Sequence, residues 1–464
     1  MKIKSLMFVL MGTMLVATSC SDTELENGKE GPGTVDPVNA SGLVNVYSDK
    51  SGSYESLLAG DVLVKDTRVL TLNVPAACEK VYMKYNAVSG KEVMKEFVLS
   101  TVTRSGDDLG TGFNFETNRL ASVTLALPED AVQPTDEEDG GYLFYHNTGV
   151  VMFEDGWPTE MASWYDDDYN DVVFEYDLKV TECQSAKQME LQGSKEELLL
   201  TLDVRAVGGI YPTALGVVLI GLESKYVDRM TASLVLKGGQ GMMTDLVKEE
   251  LSTEDVVFIR KDGWNWDDKR VDATKKRVAT LSVDKTQPDG TVIVLDGLVD
   301  LKDNNTDVFQ VTSKGMKEGL PMLRAEVRLI GKEVQTETER TAQLEAFRSL
   351  ILDTNRQNFF IKVKSTNGGK DKEIHMKGYA PTSSYKTTYD ELVNNDSSLD
   401  ANVPYSNVKG TTWGVKVPVG TRHTYEYVPF KEAYKEFEYW VGSNGTTNKN
   451  WYEKFTDDKT VKYW

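Results

Sequence analysis

The stretch FEDGWPTEMASWYDDDYNDVVFEYDLKV, residues 153–180, sets six Asp, three Glu and one Asn among aromatic residues and then runs into a strand. In VVFEYDLK the side chains alternate. Val172, Phe174, Tyr176 and Leu178 read as a face toward a core, and Val173, Glu175, Asp177 and Lys179 as a face toward solvent. The strand therefore holds the loop DDDYND at its entrance. Asp166, Asp168 and Asn170 are spaced by two, and Asp171 adds another oxygen. Glu154 and Asp155 end the preceding strand at the turn EDG. If the two strands are neighbours, five carboxylates and one amide oxygen meet in a small volume.

Like charges about 4 Å apart repel by about 4 kcal/mol at an effective dielectric near 20. A hard divalent cation removes that repulsion. Ca²⁺ takes six to eight oxygens, with carboxylates, Asn and backbone carbonyls as ligands. Mg²⁺ needs a stricter octahedron and ranks second. Zn²⁺ would call for His or Cys, absent nearby. The expected ligand set is thus Glu154, Asp155, Asp166, Asp168, Asn170 and Asp171 around Ca²⁺. A full EF-hand is excluded: its sixth position would be Asp171 instead of Gly, its twelfth Asp177 instead of Glu, and a strand follows where a helix should. The competing reading is a solvated acidic loop that binds nothing. Phe153, Trp157, Trp164, Tyr165 and Tyr169 argue instead for a packed loop.

The chain begins MKIK, followed by a short apolar run from Ser5 to Ala17, the form of a signal peptide and too short to span a bilayer. Its end, LVATSC, resembles a bacterial lipobox and marks Cys20 for lipidation, with Ala17 where Leu is usual. Ordinary secretion with cleavage nearby is the alternative. SDTELE after Cys20 resembles the surface-export signal of Bacteroidota lipoproteins, which implies an outer-membrane lipoprotein exposed on the cell surface. Residues 21–40 hold Gly, Pro and acid with almost no large apolar side chain, the composition of a flexible tether. The formal charge is −20, and removing Lys2 and Lys4 with the signal leaves about −22. Such a field repels nucleic acid and anionic lipid. Beyond Cys20 only Cys78 and Cys183 remain, which allows one bridge or two buried thiols.

The patterning is mainly β. Residues 61–75, 80–88 and 121–128 alternate or run apolar over strand length with turn residues between them. The expected organisation is a signal peptide over 1–19, a tether over 20–40, a small N-terminal β-sandwich over 41–135, and a larger, jelly-roll-like β-sandwich over 136–464 carrying the acidic loop at 153–171. EDAVQPTDEEDGG, 129–141, is either a linker or a long loop. Two stretches have helical spacing, 339–351 and 431–442, the second ending at Gly442.

FED followed by DxDYNDVVFEY resembles the signature of secreted bacterial proteins of the LruC-domain family, although Ala162-Ser163-Trp164-Tyr165 stand where that pattern has Gly. VRAVGGIYPTALGVVLIGL (204–222), EIHMKGYAPT (373–382) and the ending from Trp413 to Tyr452 are similar to further segments of the family. The resemblance runs from about residue 140 to the C-terminus. It implies an envelope or surface lipoprotein with a β-sandwich, no established enzymatic activity, and an acidic loop inferred at most to hold Ca²⁺.

Little else marks chemistry. His146, His375 and His423 are not at metal-ligand spacing, and His375, on a strand between Ile374 and Met376, reads as a structural histidine. KGGQG, 237–241, lacks the Lys-Ser/Thr of a phosphate loop, and there is no G-x-S-x-G elbow. Trp264 and Trp266 could stack a sugar or pack over a sandwich edge. Trp413, Trp440 and Trp451 read as packing for the C-terminal helix. No residue is marked as catalytic. The expectation is a non-enzymatic surface lipoprotein that binds a glycan or protein ligand or serves envelope structure. The alternative is a glycan-active hydrolase with an unmarked carboxylate pair.

Overall fold

The structure is a computed structural model. It describes residues 15–16, 18–19, 41–99, 120–158, 167–183, 196–237, 255–260, 277–298 and 322–461, less 54–55, 66–67, 76–77, 136–137, 210, 335, 366–369, 409 and 444. The chain forms two compact units, and both are mainly β. The first comprises Met1–Asp107, Leu120–Tyr145 and Thr181–Gln192, and the second Asp108–Arg119, His146–Val180 and Gly193–Trp464.

In the first unit, β1 (Leu43–Tyr47), β2 (Leu57–Leu63), β4 (Lys80–Asn86) and β5 (Glu92–Val98) form an antiparallel sheet in the order β2-β1-β4-β5. β3 (Val69–Pro75) pairs antiparallel with β6 (Leu120–Ala126) in a separate sheet. The period-two pattern explains the stacking. Val81, Met83 and Tyr85 of β4 face inward and join Val44, Val46, Leu70, Leu72, Val123 and Leu125 in one core. On the outward face of β4, Lys80 pairs with Glu96 at 2.7 Å and Lys84 with Glu92 at 2.8 Å, across to β5. The acidic, Pro-containing stretch after β6 is a loop stitched to this unit. Ala131 bridges Ala87, and Glu138 accepts from the Ser41 hydroxyl at 2.6 Å and the Gly42 amide at 2.9 Å.

The second unit stacks two antiparallel sheets. β7 (Tyr142–Phe153), β8 (Val172–Cys183), β9 (Glu196–Ala206), β11 (Val227–Lys237), β15 (Met322–Gly331) and β18 (Gly414–Val417) contribute to one, in the order β11-β15-β9-β8-β7-β18. The other has the order β12-β13-β14-β10-β16-β17, from β10 (Pro212–Ile220), β12 (Asp255–Arg260), β13 (Arg277–Asp284), β14 (Gly290–Asp296), β16 (Gln357–Val363) and β17 (Lys372–His375). Phe174 and Tyr176 of β8 meet Phe359 of β16, with centroids 5.6 and 4.7 Å apart, so the inward face expected of VVFEYDLK is the one between the sheets. Both sheets are open in strand order; neither closes into a barrel.

The opposite face of β8 differs from expectation. Val173 is fully buried and Lys179 is 7% exposed. Val173 lies in a second core with Val150, Met152, Ala206, Val415 and Val417, covered by Phe430, Tyr434, Phe437, Trp440 and Trp451 from the C-terminal segment. A cap of aromatic side chains thus takes the place of solvent over this end of the strand.

The helices also depart in part. α1 (Glu337–Leu352) matches its expected segment and starts at a capping box between Thr336 and Glu339. α2 (Lys386–Asn395) was not expected. Its N-cap, Tyr385, makes no side-chain cap bond, and Tyr389 anchors it by packing on Trp157 and Tyr405. The stretch 431–442 is two short helices, α3 (Phe430–Ala433) and α4 (Phe437–Gly442). The break falls at Tyr434, whose hydroxyl donates to the Arg422 carbonyl at 2.7 Å and accepts from the Arg422 amide at 3.1 Å. Among the described residues no helix is long and apolar enough to cross a membrane.

Candidate functional site

The acidic loop joins β7 to β8 within the second unit. As β7 ends, the Glu154 amide donates to the Trp413 carbonyl at 2.9 Å, beside the pairing of β7 with β18. The Asp155 amide donates to Asp171 Oδ2 at 2.8 Å, which brings the two halves of the acidic stretch together as the sequence implied. Between them the backbone turns at Tyr169, which has φ +53°, in the left-handed region that bulky residues rarely enter. Two features hold it there. The Tyr169 amide donates to Glu154 Oε1. Its ring packs on Phe430 and Phe437 at 5.1 and 5.5 Å, and its hydroxyl donates to the Thr412 carbonyl at 2.5 Å.

The remaining bonds run to the C-terminal segment. Asp168 Oδ2 accepts from the Tyr427 amide at 2.8 Å, and its carbonyl accepts from the Thr424 hydroxyl. Asn170 Nδ2 reaches the Thr424 carbonyl at 3.4 Å, across 254 residues of sequence. The Asp167 carbonyl accepts from the Phe430 amide at 2.8 Å. The loop therefore fastens residues 412–430 to the sheet, directly before the aromatic helices of the cap.

Gly208 and Gly209, just after β9, complete the site. Their amides donate to the Asn170 and Asp171 carbonyls at 3.0 and 3.3 Å. A Cβ on Gly208 would lie 2.3 Å from Asn170 Oδ1, and one on Gly209 would lie 2.6 Å from both Asp155 Oδ2 and Asp171 Oδ1. The glycines thus leave room for these oxygens, and two carboxylates converge on one face of Gly209.

Glu154, Asp168 and Asn170 are each under 5% exposed. The Glu154 carboxyl is held well above the usual carboxylate range, first by burial and then by the charges of Asp171, Asp168 and Asp155; the Tyr169 amide acts in the opposite sense. Lys372 faces Asp155; its Nζ donates to the Trp157 carbonyl at 3.1 Å, and burial lowers its own pKa.

Of the expected ligands, Glu154, Asp155, Asp168, Asn170 and Asp171 are brought together, while Asp166 lies outside the described residues. Among the described residues, no group of three or more His, Cys, Asp or Glu is arranged to hold a metal ion. Cys20, Trp264 and Trp266 also lie outside the described residues. Neither Cys78 nor Cys183 is in a disulfide. His375 is fully buried, with Nδ1 2.7 Å from Asn358 Oδ1 and Nε2 3.4 Å from Glu373 Oε2, between the rings of Phe360 and Tyr405. Asn358 Nδ2 donates to the Ala380 carbonyl, and Glu373 accepts from the Thr382 hydroxyl at 2.7 Å, so this histidine knits β17 to its neighbours. Thr412, Thr424, Tyr427 and the glycine pair were not recognised as parts of the site. A local Gly-Gly signal existed, but nothing local ties residues 412–430 to the acidic loop.

The chain matches, over residues 196–452, the family described as a domain of unknown function, DUF4842. That span begins with β9 and takes in Gly208, Gly209 and most of the C-terminal segment, but not the acidic loop itself. The chain is also similar to a crystal structure at 2.08 Å described as a "Putative lipoprotein from Bacteroides ovatus", with 69% identity, a TM-score of 0.74, and coverage of 92% of this chain and 100% of that one. No curated protein matches. The chain belongs to the DUF4842 family.

Proposed function

We propose that this protein is a non-enzymatic lipoprotein of the outer membrane, anchored through Cys20 and exposed on the cell surface, whose second unit is clasped by the acidic loop with Ca²⁺. On this reading it belongs with the LruC-domain lipoproteins and acts by binding a glycan or protein ligand at the surface. The observation that carries the clasp is the convergence of the Asp155 and Asp171 carboxylates on Gly209, beside buried Asp168 and Glu154. The anchor is supported by the lipobox-like LVATSC and by the description of the 69%-identical relative.

The donor set is all oxygen, which suits Ca²⁺ over Zn²⁺. Asp155, Asp171 and Asn170 would hold the ion, with Asp166 extending the set. Bound there, Ca²⁺ would offset the mutual repulsion of the carboxylates. Asp168, Glu154 and Asp171 Oδ2 accept backbone amides and so orient the loop, while Asp155 Oδ2 and Asp171 Oδ1, the oxygens facing Gly209, would take the ion.

The test is thermal unfolding of the mature protein in EDTA and in millimolar Ca²⁺. A ligand of the native state raises the melting temperature. Ca²⁺ should raise it, and the Asp155→Ala, Asp171→Ala double variant should lose the increment. An unchanged melting temperature at millimolar Ca²⁺ would refute the clasp. Loss of membrane association in Cys20→Ala checks the anchor separately.

A further inference from the structure

We propose that the outward face of the C-terminal cap binds a neutral glycan, with Tyr427 as the stacking residue. This rests on the reading of the chain as a surface ligand-binding protein.

Two observations point to this face. The exposed aromatic rings among the described residues all lie on the cap: Tyr427 is 77% exposed, Tyr439 68% and Phe455 36%. Aromatic residues elsewhere in the described structure are buried or half-buried. In addition, Tyr427 is displayed at a strained position. The Val428 amide donates to the Tyr425 carbonyl at 3.0 Å, closing a turn with Tyr427 as its third residue at φ +61°. That position ordinarily calls for glycine. The Asp168 carboxylate holds the turn through the Tyr427 amide. A bulky ring kept in the left-handed region and presented to water suggests a role for the ring itself.

The polar groups that accompany these rings favour a sugar. Asp167 lies 3.9 Å from Lys431, which lies 3.5 Å from Glu438, the neighbour of Tyr439. Ion-paired carboxylates and an ammonium therefore run from Asp167, the neighbour of the Asp168 that holds Tyr427, to Glu438 beside Tyr439. A pyranose can lay its C–H face on an aromatic ring while its hydroxyls reach such groups. A protein interface would instead present a contiguous apolar centre. The net charge of −20 disfavours sulfated or uronic glycans, so the expected ligand is uncharged.

The test is native affinity electrophoresis of the mature chain, made without its lipid, in gels containing galactomannan, arabinoxylan or, as an anionic comparison, chondroitin sulfate. Migration should be slowed by at least one neutral polysaccharide and not by chondroitin sulfate. Tyr427→Gly should abolish the slowing while its melting temperature stays equal or rises, because glycine relieves the turn. Tyr427→Phe, which keeps the ring, should retain the slowing. Unchanged migration in both neutral gels would overturn the proposal, as would slowing by chondroitin sulfate alone. So would retention of the slowing by Tyr427→Gly, or its loss together with a fall of several degrees in melting temperature. The Ca²⁺ response is read separately on the unaltered protein, so a failure here leaves the clasp standing.

Discussion

Replacing Lys416 by Met should stabilise the second unit at neutral pH. Lys416 lies on β18 opposite Val151 and is fully buried. Its Nζ donates to the Thr354 carbonyl at 3.1 Å, an acceptor shared with the Tyr379 hydroxyl, also at 3.1 Å. Burial pulls its pKa from 10.5 down to about 7, against the opposing pull of Asp353. At 1.36 kcal/mol per pH unit, that shift corresponds to about 5 kcal/mol of stability withheld at pH 7 and below. The sign follows from proton counting. Between pH 7 and 10.5 the unfolded chain holds a proton that the native amine has released, so stability rises with pH across that window. Below about pH 7 both states are protonated and the dependence flattens. Lys416→Met keeps most of the volume and removes the titration. It also gives up one hydrogen bond, worth about 1 kcal/mol. The expected gain is about 3–4 kcal/mol at pH 7, shrinking to under about 1 kcal/mol near pH 10. Urea unfolding followed by tryptophan fluorescence suits the measurement, because all eight tryptophans lie beyond residue 156, within the second unit. A variant less stable than the unaltered protein at pH 7, or a stability difference constant from pH 7 to 10, would refute the reasoning.

Gly209→Ala should destabilise the same transition by about 1–3 kcal/mol, because the added methyl meets Asp155 and Asp171 oxygens at 2.6 Å; a midpoint unchanged in urea would count against the packing described. Thr336→Ala removes the capping box of α1 and should lower stability by about 1 kcal/mol, read from the same urea midpoint.

Much of this architecture is legible locally. The alternation in VVFEYDLK names its inward face, because side chains two apart on a strand share a side. Phe174 and Tyr176 do meet the opposite sheet. The spacing of ERTAQLEAFRSLI marks α1 for the same kind of reason, a period carried by neighbouring residues. The other side of β8 is not legible locally, since alternation records only that the two faces differ. What covers Val173 is a cap more than 250 residues downstream, and no local pattern encodes that contact. α2 and the break at Tyr434 depend likewise on tertiary partners, Trp157 and Tyr405 for one and Arg422 for the other.

The acidic loop divides along the same line. Residue types and spacing place Glu154-Asp155 at the end of one strand and the DxDYND run at the mouth of the next, so the two meet provided that these strands are neighbours. Where their hydrogen bonds go was decided by the fold. Asp168 and Asn170 reach Thr424 and Tyr427, and Asp155 and Asp171 close over a glycine pair from β9. Backbone amides far away in sequence become partners only once the sheets are stacked, and that stacking is set by the whole core.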